Sequence, residues 1–319
     1  MAAVRCPRCG TRNRVDAMNC AVCNINLAFA LEPPAEIEAI KRRDGESEDL
    51  HEAGGAATGT PKPLLLPALL LLGAFAFAFC LGEAAHELGH YLAHGAYGTE
   101  VGIKLDPFGG SRILGATSAP HETWGTTSAA GPLLNLLGGL TVWLALWRHR
   151  TAAILPFLLW GPIAFVQEGV TFSLGMLTPG GDAELIIESG VPAAFILGLG
   201  VLFLLSGIVA VCLVLPLVSL SPSDPFGRRF GVVAGGMVSF MLIRLLGSSV
   251  ASPHLAQEQV IPLVFALVLA AVVVGVYGPA YSMLRRSSND APAGVPRPAM
   301  MSSVALALAM ILFQMMSFN

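Results

Sequence analysis

From residue 64 onward the apolar residues of this chain neither alternate nor keep to one helical face. They run in long blocks separated by short polar or glycine-rich breaks. Blocks near 64–96, 127–147, 152–177, 191–220, 230–248, 260–284 and 299–318 each approach the length of about 20 residues that a helix needs to cross the hydrocarbon layer. A half-buried strand would alternate, so seven membrane-spanning helices are expected. The first block is the longest; at about 1.5 Å per residue it can cross the bilayer and still carry further residues. Between the first two blocks, Gly98 to Thr126 breaks the pattern. Val101-Gly102-Ile103-Lys104-Leu105 alternates like a short strand and Pro107-Phe108-Gly109-Gly110 reads as a turn, which predicts a β-hairpin there.

The beginning of the chain is different in kind. Residues 1–31 hold four Arg and four Cys and no continuous apolar run, so no cleavable signal peptide is expected. Cys6-Pro7-Arg8-Cys9 and Cys20-Ala21-Val22-Cys23 form two CxxC knuckles separated by ten residues. Four thiolates so arranged suit a tetrahedral structural Zn²⁺, as in a zinc ribbon, with two disulfides or a redox CxxC as the alternatives. So small a unit cannot bury a core, and the metal would supply its folding energy. Residues 32–62, with Pro33-Pro34, a mixed charge run and Gly54-Gly55, read as a flexible linker. The remaining cysteines, Cys80 and Cys212, fall in apolar helices and read as packing residues.

Composition sharpens the class. Apolar residues make up 54% of the 319 and charged residues 12%, about half the usual globular share. A lipid bilayer is therefore the expected surroundings, and a net charge of −3 gives no reason to expect nucleic acid as a partner. Basic residues cluster in alternate loops: Arg148 and Arg150, Arg228 and Arg229, Arg285 and Arg286. With the Arg-rich head on the same side, this predicts a cytoplasmic N terminus, where the thiolates of the head would stay reduced.

The chemistry sits at the end of the first block, in His86-Glu87-Leu88-Gly89-His90. Two histidines four residues apart on a helix present imidazoles to one metal, and the intervening Glu can serve as general base toward the attacking water. Ionisable residues at bilayer depth are costly, and a cluster of them marks a site.

Together with Tyr97-Gly98, Leu105-Asp106-Pro107-Phe108-Gly109-Gly110 and Ala130-Gly131-Pro132-Leu133-Leu134-Asn135, the motif resembles the site-2 protease family, intramembrane zinc metalloproteases of regulated intramembrane proteolysis. The resemblance covers about residues 64–190. It implies a three-helix protease core over 63–190, further membrane helices over 191–319, and a re-entrant β-hairpin at Val101 to Ala116. It also implies a catalytic zinc on His86 and His90, Glu87 as the base, and Asn135 near the scissile carbonyl. The third ligand implied is Asp182, in Thr178-Pro179-Gly180-Gly181-Asp182-Ala183. There Met176 and Ala183 replace the Asn and Gly of the family motif, and a helix N-cap carboxylate is the alternative role. The expected substrate is a membrane protein cut in or near its spanning segment, in a prokaryotic cytoplasmic membrane. In that family the motif helix runs toward the cytosol, opposite to the direction implied by the basic loops.

Other polar residues in the apolar blocks have plainer readings. Glu168 is either an alternative ligand or, as preferred here, a partner that orients His86 or His90. Glu83 and His94 read as polar neighbours one turn from the motif. Trp143, Trp147 and Trp160 read as an interfacial belt, Gly138-Gly139 as a close-packing site, and Arg244 as a residue snorkelling to the surface. Two other functions fit the sequence: a non-proteolytic membrane adaptor or sensor working through a protein partner of the ribbon, and a transporter with a metal site.

Overall fold

The computed structural model describes residues 3–5, 12–14, 64–108, 111–115, 120–177, 181–251, 253–284 and 297–316. The chain divides after Lys62 into two units. In the first, strands β1 (Ala3–Arg5) and β2 (Arg12–Arg14) pair antiparallel with Val4 opposite Asn13. Cys6, Cys9, Cys20 and Cys23 lie outside the described residues, as does the linker.

The second unit is helical: α1 (Leu65–Ala96), α2 (Trp124–Leu146), α3 (Leu155–Leu174), α4 (Asp182–Glu188), α5 (Ala193–Val214), α6 (Phe226–Ala251), α7 (Pro253–Leu284) and α8 (Arg297–Met316). Among the described residues, seven helices are long and apolar enough to cross a bilayer, and the chain is an integral membrane protein. The short α4 stands apart from α3, and it puts Asp182 in the first turn of its own helix. A 3₁₀ turn at Gly175–Leu177 ends α3, and Pro179-Gly180-Gly181 in the sequence cannot continue it. The hairpin is present as β3 (Gly102–Lys104) paired with β4 (Arg112–Leu114), Ile103 opposite Ile113.

Helix α1 is apolar on all sides because it is the centre of the unit, packed against α2, α3, α6 and α8. Polarity runs inside out relative to a water-soluble domain. Leu137, Leu144 and Ile261 are each at least 60% exposed, whereas Asn135, Glu168, Arg244 and Gln314 are buried. Such an apolar exterior suits lipid, and buried polar groups without water must find partners within the protein. The Gln314 amide nitrogen does so by donating to the Cys80 carbonyl (2.9 Å), which fastens α8 to α1.

Helix α1 ends where Gly98 adopts φ 72°. Its N–H meets the Gly95 carbonyl, and Thr99 N–H meets the His94 carbonyl (both 3.0 Å), closing a Schellman turn that needs glycine at this position. The chain is thereby turned sharply into the hairpin. Phe108, just beyond β3, packs so tightly on Gly247 of α6 that no side chain would fit there, and Ser248 Oγ donates to the Phe108 carbonyl (2.6 Å).

Candidate metal centre

His86 and His90 face the same way from α1, and α4 brings Asp182 to meet them. Asp182 Oδ2 lies 2.9 Å from His86 Nε2 and 3.4 Å from His90 Nε2, and the two Nε2 atoms are 3.0 Å apart. A tetrahedral ion with bonds of about 2.0–2.1 Å separates its ligand atoms by about 3.3 Å, so these three donors have the spacing of a metal shell. The chemistry agrees. His86 Nδ1 donates to Glu168 Oε1 (3.0 Å) and His90 Nδ1 donates to the Thr127 carbonyl (2.7 Å). With those protons on Nδ1, both Nε2 atoms present lone pairs to each other and to a carboxylate. Such a cluster is repulsive unless a cation stands among them, whether protons or a metal ion. Burial alone would raise the Asp182 carboxyl; where protons are the cation, the hydrogen bonds and charge of protonated His86 and His90 outweigh burial and hold it below the ordinary carboxylate range.

The glycines and proline around the motif make this geometry possible. A Cβ on Gly131 would fall 2.3 Å from His90 Nε2, so the absent side chain is the space that the imidazole fills. A Cβ on Gly89 would fall 2.3 Å from the Ala130 carbonyl oxygen, so α1 and α2 touch backbone to backbone at the motif. Pro132, inside the continuous helix α2, has no N–H to donate to the carbonyl of Ser128, the residue after Thr127, whose carbonyl accepts from His90.

Behind His86 runs a buried chain of hydrogen bonds. Trp160 Nε1 donates to Asn135 Oδ1 (3.0 Å), Asn135 Nδ2 donates to Glu168 Oε1 (2.6 Å), and that same oxygen takes the His86 proton. Glu168 therefore sits on the far nitrogen of His86, with Asp182 on the near one. The amide of Asn135, fully buried, faces Glu168, Trp160 and Gln167, and the residue lines the same cavity as His86 and Glu87. As the first residue of α4, Asp182 aims its carboxylate at the histidines and makes no capping bond.

Two cavities meet at the motif. One, about 340 Å³, is lined chiefly by apolar residues of α1, α3, α6 and α7. The other, about 530 Å³, is lined by His90, His94, Asp182, Thr127, Ser128 and the hairpin residues Arg112 and Ile113. His86, Glu87 and Ser111 line both. Glu87 is half-buried at the junction, where a base would reach a molecule lying across the two chambers.

One plainer expectation needs correction. Arg244 does not snorkel: it is 4% exposed, and its Nη1 donates to Glu83 Oε1 at 2.8 Å, with the guanidinium 4.6 Å from the Phe79 ring centre. A partner carboxylate on the neighbouring helix lets the charge stay inside. Trp160, half-buried, also reaches inward to the chain behind His86, and its ring fills the notch left by Gly138. Gly139 packs against Gly161, bringing α2 and α3 into contact as expected of this glycine pair. Sequence reading missed the Thr127 carbonyl, which has no side-chain signature. The spacing of Trp160 and Glu168, two helical turns apart, was a signal available in the sequence.

No family model matches the chain, and no curated protein or solved structure matches it.

Proposed function

We propose that this chain is an intramembrane zinc metalloendopeptidase that hydrolyses peptide bonds in or near the spanning segments of membrane proteins. The observation that carries this reading is the convergence of His86 Nε2, His90 Nε2 and Asp182 Oδ2 beside Glu87, on a helix able to cross a bilayer. Zinc held by these residues would supply a Lewis acid that polarises the scissile carbonyl and brings the pKa of the attacking water to about 7. The residues of the chain do the rest. Glu87 takes the proton of the attacking water and returns it to the leaving amine. Glu168 and the Thr127 carbonyl keep His86 and His90 in the tautomer that points Nε2 at the site. Asn135, held by Trp160, aims Glu168 and is a positioning residue.

A helical substrate hides its carbonyls in hydrogen bonds and must unwind locally to be cut. Among the described residues β3 and β4 form a two-stranded sheet, and an outer edge of it would offer backbone partners to the extended segment. The N terminus is cytoplasmic in a prokaryotic membrane, with a second, structural zinc on Cys6, Cys9, Cys20 and Cys23 and a protein partner for that ribbon. Glu87→Gln tests the core of the proposal: cleavage of a membrane-spanning substrate should vanish while bound zinc stays at one equivalent at the His86 site. Retained hydrolysis would sink the assignment, and a wild-type protein that holds zinc yet cuts no spanning segment would favour the adaptor reading.

A further inference from the structure

We propose that the apolar cavity is a side-chain pocket, in which the helices beyond the metal-binding core select a large apolar residue of the substrate beside the bond to be cut. This inference rests on the reading of the site as a peptidase. The cavity begins at the reacting groups, since His86 and Glu87 form part of its wall. It then runs between Phe79 of α1, Ile163 of α3, Met237 and Met241 of α6, and Phe265 and Leu269 of α7. Among the described residues α6 and α7 contribute no metal donor, and the residues they add to this wall are apolar. An apolar cavity of about 150 Å³ already takes up benzene. A volume of about 340 Å³ therefore has room for an aromatic or leucine side chain with a stretch of its backbone. Paired methionines in the wall adapt to more than one such shape.

The polar atoms of the wall argue for a peptide over a lipid chain. Glu83 Oε2 is buried and has no hydrogen-bond partner, and Glu83 lines this cavity one turn before Glu87. Arg244 holds the other oxygen and so fixes the carboxylate in place. An extended peptide brings N–H groups that need an acceptor away from water, whereas an acyl chain has no donor to offer. The occupant the wall fits is an unwound peptide segment with one large apolar side chain.

The test uses the full-length chain in phosphatidylcholine nanodiscs. The probes are single-span Leu/Ala peptides with a central Gly-Gly pair and one varied residue beside it. In the Glu87→Gln protein, benzoylphenylalanine at that position should crosslink to Met237, Met241 or Leu269. Ala266, small and buried in the same wall, is the place to fill the pocket. Ala266→Phe should cut crosslinking at least tenfold. In the otherwise native protein, kcat/KM for Phe over Ala at the varied position should be about 10–200-fold. That ratio should collapse to within about threefold in Ala266→Phe, with zinc content unchanged. Met241→Ala, which enlarges the same chamber, should move the preference toward Trp, so the test does not depend on one overpacked variant. Crosslinking without hydrolysis by any variant shows that the cavity seats an apolar peptide side chain but overturns the peptidase reading, and with it the pocket's place beside a bond to be cut. Hydrolysis with an unchanged Phe/Ala ratio, or labelling of this wall by a photoreactive phospholipid in place of the peptide, overturns the pocket and keeps the peptidase.

Discussion

Replacing Gly131 with alanine adds one methyl group, and the structure says where it would go. The new Cβ would lie 2.3 Å from His90 Nε2, 2.6 Å from Cε1 and 2.8 Å from Cδ2. Ordinary contact begins near 3.4 Å, so the ring must retreat by about 1 Å. The fold can tolerate that, because a side chain gives way more readily than backbone. The metal shell cannot: ligand distances are held within about 0.2 Å. Retreat also strains the His90 bond to the Thr127 carbonyl that sets its tautomer. Losing support of this kind costs about 10–100-fold in metal affinity, or about 1.4–2.8 kcal/mol. The assay is zinc competition with a chromophoric chelator on purified protein, run beside an unfolding measurement. Gly95→Ala is the control, since a Cβ there meets nothing within 4 Å and alanine favours the helix of α1. Wild-type zinc affinity in Gly131→Ala would falsify the assignment of His90 Nε2 as a ligand.

Further outcomes follow from the same geometry. Asp182→Ala should remove the third donor, leaving two histidines and a site that loses zinc on dialysis at micromolar concentration; metal analysis would detect unchanged retention, which contradicts the ligand role. Glu168→Gln and Asn135→Leu should each weaken zinc about 10–100-fold without abolishing it, because they act through His86. A double mutant that loses no more than the worse single one would bear out a single chain, and fully additive losses would argue against it. Arg244→Leu leaves Glu83 uncompensated inside the protein and should cost about 3–5 kcal/mol in detergent-induced unfolding. Pairing it with Glu83→Leu should recover most of that, and no recovery would mean that Arg244 acts through other contacts.

Much of the membrane architecture was legible because lipid makes a severe demand. A spanning segment must be apolar for about 20 residues and must satisfy its own backbone, so block length alone predicts helices at nearly the observed bounds. His86, Glu87 and His90 were legible for a similar reason, since helical period places i and i+4 on one face. The exact location of Asp182 was less so: its helix is seven residues long and too short for periodicity to signal. Arg244 was misread because a single sequence shows that a polar group sits in an apolar block, not which neighbour satisfies it.

By itself, then, the sequence determined a polytopic membrane chain with a motif of metal-ligand spacing on a helix long and apolar enough to cross a bilayer, since both rest on local rules of helix period and hydropathy. Only the tertiary structure decided which carboxylate stands in front of His86 and which behind it. It alone showed that Gly131 is the hollow for His90 and that Asn135 serves Glu168. Those assignments depend on contacts between residues 30 to 100 positions apart, where atoms must fit within a few tenths of an ångström. Periodicity carries no information at that range.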